Sequence, residues 1–224
     1  MRWARVYVSW SDVEPQHTGV EGFNWQDADA RIGGLVEAGF EPIVTIARNP
    51  AWAASTADGP IDRPGGLEAF GQFVSTLVER YDGDGVDDAP GSPRVTYWEF
   101  YNEPDSPGRW AGHGAEYATM LKVVYPAVHA ASPTAQVVLG GIAYDWWSGC
   151  SPCFDRNFLG TVVANAEGPD YPYFDVLNYH YYDRLGKKWS PPNVVGKLIF
   201  LEHEQLPPDL RGMPVLCTEF GEPF

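Results

Sequence analysis

Short apolar runs rich in β-branched and aromatic residues recur at 4–8 (ARVYV), 42–46 (PIVTI), 95–101 (VTYWEFY), 136–140 (QVVLG), 175–179 (DVLNY) and 214–218 (PVLCT). Gly, Pro, Asn or Asp bounds each run, as at the ends of strands. Their starts differ by 38, 53, 41, 39 and 39 residues, close to the length of one strand, one helix and two loops. The gaps carry a different period. Leu67, Phe70, Phe73, Val74, Leu77, Val78 and Tyr81 recur at steps of three and four and draw one apolar stripe along a helix. Similar stripes run through Ile32, Leu35 and Val36, closed by Gly39, and through Tyr117, Leu121, Val124 and Val128. Two more run through Phe158, Leu159, Val162 and Val163, and through Val194, Leu198 and Leu201.

Strands alternating with helices at this spacing predict an α/β fold with a parallel sheet and helices packed outside it. Two architectures satisfy that order, a closed (β/α)8 TIM barrel and an open doubly wound sheet. The open sheet commonly has a Gly-rich phosphate turn after its first strand. The turn here reads SWSDVEP over residues 9–15, which offers no such cradle. The barrel is therefore expected. Six strands are visible where eight are needed, so residues 1–224 are expected to form one incomplete barrel domain lacking its first and last strands.

Charge narrows the partner. Fifteen basic against thirty acidic residues give a formal net charge of −15, which opposes nucleic acid and anionic membranes and favours a neutral or cationic partner, and a neutral carbohydrate fits. Nine Trp and twelve Tyr supply faces on which sugar rings stack. No apolar run reaches membrane-spanning length, and residues 1–10 alternate like a strand and lack the apolar stretch of a signal peptide. The segment thus reads as soluble, with no compartment assigned. Cys150 and Cys153 lack the second ligand pair of a structural zinc site, and the acidic loop 81–94 has Gly misplaced for an EF-hand and Pro93 at its twelfth position. No metal and no cofactor is expected.

In such barrels the chemistry sits at the C-terminal ends of the strands, where side chains from different strands converge. Trp10, Asp12 and Glu14 follow the first run; Arg48, Asn49 and Trp52 the second; Asn102 and Glu103 the third. Tyr144, Asp145, Trp146 and Trp147 follow the fourth, His180 to Asp183 the fifth, and Glu219 and Glu222 the sixth. Glu103 and Glu219 hold equivalent places three units apart, nearly across the mouth of an eight-fold ring. A facing carboxylate pair suits glycoside hydrolysis, in which one group donates a proton to the leaving oxygen and the other attacks or positions water. The acid needs a raised pKa, for which Trp98, Tyr101, Trp110 or the charge of the other Glu is the expected source. Asn102, His180 and Tyr182 are candidate polar contacts, and Trp52 and Trp146 candidate stacking faces. Arg5, a charge inside a strand, should pair with a carboxylate at the barrel's centre.

Asn102-Glu103-Pro104 and Thr218-Glu219-Phe220-Gly221 resemble the signatures of the clan of (β/α)8 glycoside hydrolases that carry both glutamates on strands four and seven. The stretch 10–15 with Phe23-Asn24-Trp25 and Asp29 is similar to the second-strand region of family 39 members, and His180-Tyr181-Tyr182 to the His-x-Tyr of family 5. The resemblance implies a retaining β-glycosidase that works through a covalent glycosyl-enzyme. It makes Glu219 the nucleophile, Glu103 the acid and then the base, and Asn102 a ligand for the sugar 2-hydroxyl. Two alternatives compete: a metal-dependent barrel enzyme such as a sugar isomerase, with Glu103, His180 and Glu219 as ligands, and a non-catalytic carbohydrate-binding protein.

Overall fold

The computed structural model describes residues 2–144, 154–182 and 194–221. Six strands appear where the apolar runs predict them: β1 (Trp3–Ser9), β2 (Glu41–Ala47), β3 (Tyr97–Phe100), β4 (Gln136–Leu139), β5 (Leu177–Tyr182) and β6 (Val215–Gly221). Between them lie α1 (Trp10–Val13), α2 (Gln26–Glu37), α3 (Gly66–Arg80), α4 (Gly114–Ala131), α5 (Phe158–Asn165) and α6 (Val194–Phe200). All paired strands are parallel. β1 to β4 form one sheet in chain order and β5 with β6 a second, and the bridges Val138 to Val176 and Ile142 to Tyr179 join the two.

The sheet is strongly curved. Five flat inter-strand steps would separate β1 from β6 by about 24 Å. Instead Arg5 Nη1 of β1 donates to Glu219 Oε1 of β6 at 2.5 Å. A doubly wound sheet, with its reversal of strand order, is excluded by the sequential order β1 to β4. Among the described residues β6 does not pair with β1, so the strands form an open arc and not a closed barrel.

Helix stripes face the sheet as their periodicity requires. Phe70, Phe73, Val74, Leu77 and Val78 of α3 are fully buried, as are Leu121, Val124 and Val128 of α4. Truncating one of them, Leu77→Ala for example, would cost about 2–5 kcal/mol. Gly39 ends α2 at φ +78, with its N–H on Val36 O and that of Phe40 on Leu35 O, the paired bonds of a Schellman cap.

The C-terminal ends of β5 and β6 depart furthest from the sequence pattern, and both matter for the site. β5 and β6 each run three residues beyond the predicted runs, so His180, Tyr182 and Glu219 lie within strands. The two ends hold each other in the ladder, pairing His180 with Glu219, Tyr181 with Phe220 and Tyr182 with Gly221 after a register shift at Tyr179. Polar residues break an apolar pattern without breaking a backbone ladder, so periodicity stops early. In the loop 81–94 the acids cap its own amides: Asp88 accepts from Gly83 and Gly85, and Asp84 from Val86. No described helix is long and apolar enough to cross a membrane.

Candidate active site

Inside the arc the strands contribute polar groups to one connected cluster. Glu99 of β3 is fully buried and accepts five hydrogen bonds. Arg5 Nε and Nη2 reach it at 2.6 and 2.8 Å, Thr45 Oγ1 at 2.5 Å, Asn178 Nδ2 at 2.8 Å and the Gly141 amide at 3.2 Å. A buried carboxylate is tolerated only when paired and saturated with donors, and Glu99 has both. Arg5 therefore meets the carboxylate expected of a charge in a strand. Its remaining donors go to Glu219, and to Asn102 Oδ1 at 2.7 Å.

Above this layer the two predicted glutamates converge on His180. His180 Nδ1 lies 3.1 Å from Glu103 Oε1 and 3.7 Å from Glu219 Oε2, and one ligating atom from each of the three residues lies within 4.8 Å of the other two. Tyr182 Oη donates to Glu219 Oε2 at 2.7 Å, so both oxygens of Glu219 are held by donors. That bond pushes the Tyr182 phenol up to about 12, so it remains a donor at neutral pH. Behind the ring, His180 Nε2 sits 3.1 Å from Thr218 Oγ1, which Asn178 Nδ2 reaches at 2.9 Å.

Local backbone aims Glu103. Tyr101 and Glu103 adopt φ +61 and +44, a left-handed geometry that costs non-glycine residues about 1–2 kcal/mol each. The turn is over-determined by its bonds: Tyr101 N to Ile46 O, Trp110 N to Pro104 O, and Arg109 Nη1 to Asn102 O. Arg109 Nη1 also stands 3.6 Å from Glu103 Oε2. Burial pushes the Glu103 carboxyl up, but the hydrogen bond and charge of His180, then the charges of Arg109 and Lys197, hold it below the ordinary glutamate range. The raised pKa expected from an aromatic wall is thus overturned for the free site. Two of those aromatics serve elsewhere, Tyr101 Oη donating to Asn49 Oδ1 and Trp110 packing on Tyr101 and Tyr117.

The structure brings Glu103, Glu219, Asn102, His180, Tyr182 and Arg5 into one network. It gives Trp52 other neighbours: His17 stacks on it at 4.2 Å, Trp10 meets it edge-on, and its N–H donates to Glu14 O. Glu14 is buried as acceptor for Trp10 Nε1 and the Gly19 amide, and Asn49 as donor to Thr56 O and Gly59 O. Trp146, Trp147, Asp145, Asp183, Glu222 and the pair Cys150 and Cys153 lie outside the described residues.

Several members escaped the sequence reading. Glu99, Thr45, Asn178, Thr218 and Arg109 complete the network, and Glu99 carried the same signal as Arg5, a charge inside a strand. Gly140 and Gly141 were also missed. A Cβ on Gly141 would lie 2.1 Å from His180 Nε2, and one on Gly140 2.5 Å from Phe100 O, so only glycine allows β4 to end against the His180 ring and the Glu103 turn.

A parallel α/β arc with paired glutamates and a histidine at its strand ends defines a fold whose solved neighbours are TIM-barrel glycoside hydrolases. The bacterial orthologue of human α-L-iduronidase superposes with a TM-score of 0.70 at 17% identity, over 99% of this chain and 36% of that one. The GH39 enzyme from Xanthomonas axonopodis pv. citri gives 0.65 at 18%, over 100% and 45%, and a family 39 glycoside hydrolase from Bacteroides cellulosilyticus WH2 gives 0.63 at 20%, over 98% and 43%. These likenesses establish the fold. The chain spans less than half the length of these three solved structures. By sequence it matches no family model and no curated protein.

Proposed function

We propose that this chain carries the catalytic centre of a retaining β-glycosidase, with carbohydrate as substrate. The observation that supports it best is the approach of the two glutamates, whose ligating oxygens come within 4.8 Å across His180. Retaining enzymes hold their carboxyl groups roughly 5–5.5 Å apart, while inverting enzymes need roughly 6.5–9.5 Å to admit a water.

In this reading Glu219 is the nucleophile. Arg5 and Tyr182 each donate to one of its oxygens and fix their direction. Glu103 protonates the leaving oxygen, then activates the water that cleaves the glycosyl-enzyme. Asn102, its Oδ1 held by Arg5 and by Tyr7 Oη at 2.9 Å, presents its amide N–H group to the sugar 2-hydroxyl. His180 Nδ1, 3.1 Å from Glu103 Oε1, fixes the direction of that carboxyl, while Nε2 rests 3.1 Å from Thr218 Oγ1. Arg5 is thus a positioning residue, since its donors are engaged by protein groups.

The same three side chains are spaced as a divalent ion would require, which favours the metal-dependent reading. Against it, guanidinium groups already stand on both carboxylates, Arg5 at 2.5 Å and Arg109 at 3.6 Å, and a cation would have to displace or repel them. The test is to offer aryl β-glycosides of several sugars and follow the first anomer released by NMR. Retention with undiminished rate in EDTA is expected. An inverted product, loss of rate with chelator, or no turnover of any sugar would overturn the proposal.

A further inference from the structure

A charge interrupts the apolar stripe of α6. Lys197 stands three residues after Val194 and four before Leu201, on the side where the helix packs inward, and it is the one fully buried residue of α6. A buried ammonium is costly unless its donors are met. Lys197 Nζ donates to two main-chain carbonyls from different elements: Ala143 O, just after β4, at 2.9 Å, and His180 O of β5 at 2.6 Å. The ladder between β5 and β6 shifts register between Tyr179 and His180, so the second acceptor lies at that irregularity. Packing alone does not call for a charge here, because apolar residues of similar volume can replace buried charges without loss of stability.

Ala143 is gripped from its other side as well. Asp105, with no exposed surface, accepts from the Ala143 amide at 3.0 Å and from the Tyr144 amide at 2.6 Å. It stands two residues after Glu103, in the same turn. A circuit therefore closes: from Glu103 to Asp105, across the Ala143 peptide to Lys197, through the His180 carbonyl to the His180 ring, and back to Glu103 over 3.1 Å. The His180 amide adds a bond to Ile142 O at 3.0 Å, so the end of β4 and the end of β5 are tied on both sides of Lys197. Lys197 and Asp105 are closed to solvent and reach the chemistry only through the groups they hold.

We propose that Lys197 is a positioning residue for proton transfer: by joining the His180 and Ala143 carbonyls it fixes the His180 ring against the Glu103 carboxyl. The proposal rests on the glycosidase reading. In wild type, Lys197→Met and Lys197→Gln, kcat/KM is measured for one sugar carrying 2,4-dinitrophenol, phenol or methanol as leaving group, beside the ring NMR signals of His180 and His113. Lys197→Gln keeps two N–H donors on a stem one atom shorter and stands in where Lys197→Met does not fold. The His180 signals should move in either variant, and those of exposed His113 should not. Methyl and phenyl glycosides, which need a well-aimed proton, should lose about 10²-fold, and the dinitrophenyl glycoside, whose leaving group needs none, less than about threefold. A loss that does not grow as the leaving group becomes poorer, or no loss at all, overturns the proposal, as do unmoved His180 signals in a folded variant. Turnover of no glycoside by wild type would defeat the glycosidase reading instead, and the His180 signals would then decide alone whether Lys197 sets the ring.

Discussion

Replacing Arg5 by Met keeps an unbranched stem and removes the charge that links the buried layer to the glutamates. Five hydrogen bonds disappear, to Thr45, to both oxygens of Glu99, to Glu219 and to Asn102. Glu99, with no exposed surface, keeps only the neutral donors of Thr45, Asn178 and Gly141. Removing one partner of a buried pair costs about 3–5 kcal/mol because the other charge stays uncompensated. In a domain of this size each kcal/mol moves the melting temperature by about 2–4 °C, so Arg5→Met should melt roughly 6–20 °C lower. The decisive assay is a double-mutant cycle by thermal or urea unfolding. Glu99→Gln in the Arg5→Met background should recover a large part of the loss, because it deletes the stranded charge and keeps the shape. Activity should not recover with it, since Glu219 and Asn102 stay unanchored, and a misplacement of about 1 Å costs about 10²-fold. Melting of Arg5→Met within about 2 °C of wild type would refute the reasoning, as would a double variant no more stable than the single one.

Gly141→Ala should push the His180 ring off both Thr218 and Glu103, at a cost of about 1–3 kcal/mol, visible in melting and in the His180 ring NMR shifts. Arg109→Met removes a charge that holds Glu103 low, so the alkaline limb of kcat/KM, which reports the free acid, should move to higher pH. The sign for stability follows from the same depression: in wild type, Glu103 contributes stability above the ordinary glutamate range and loses it as pH falls through its lowered value. Arg109→Met should flatten that acid-side slope in pH-dependent unfolding. Tyr182→Phe should lower kcat about tenfold with melting nearly unchanged, because the lost bond is to the nucleophile and the ring is half exposed.

The paired glutamates were legible from the chain because two signals coincided, an acid just past an apolar run and a second acid three units later. The polar layer beneath them was only half legible. Arg5 announced itself as a charge in a strand, while Glu99, in the run YWEF of β3, passed as part of an apolar segment although the same argument applied. Thr45, Asn178 and Thr218 are ordinary strand residues by type, and nothing local marks them as donors to a buried carboxylate. The glycines after β4 carry no pattern at all: Gly141 matters because a ring from β5 occupies the space its side chain would need.

The chain by itself determined the periods. Apolar alternation and helical stripes are properties of consecutive residues, so the βα order, the parallel sheet and the outward helices could be read directly. Tertiary structure alone decided what depends on residues far apart in sequence. It set the curvature that brings Arg5 to Glu219, the extension of β5 and β6 through mutual pairing, and the packing of Trp52 under His17. It also reversed the expected shift at Glu103, because a pKa is set by the charges that surround a group in space, and His180, Arg109 and Lys197 reach Glu103 from a strand, a loop and a helix.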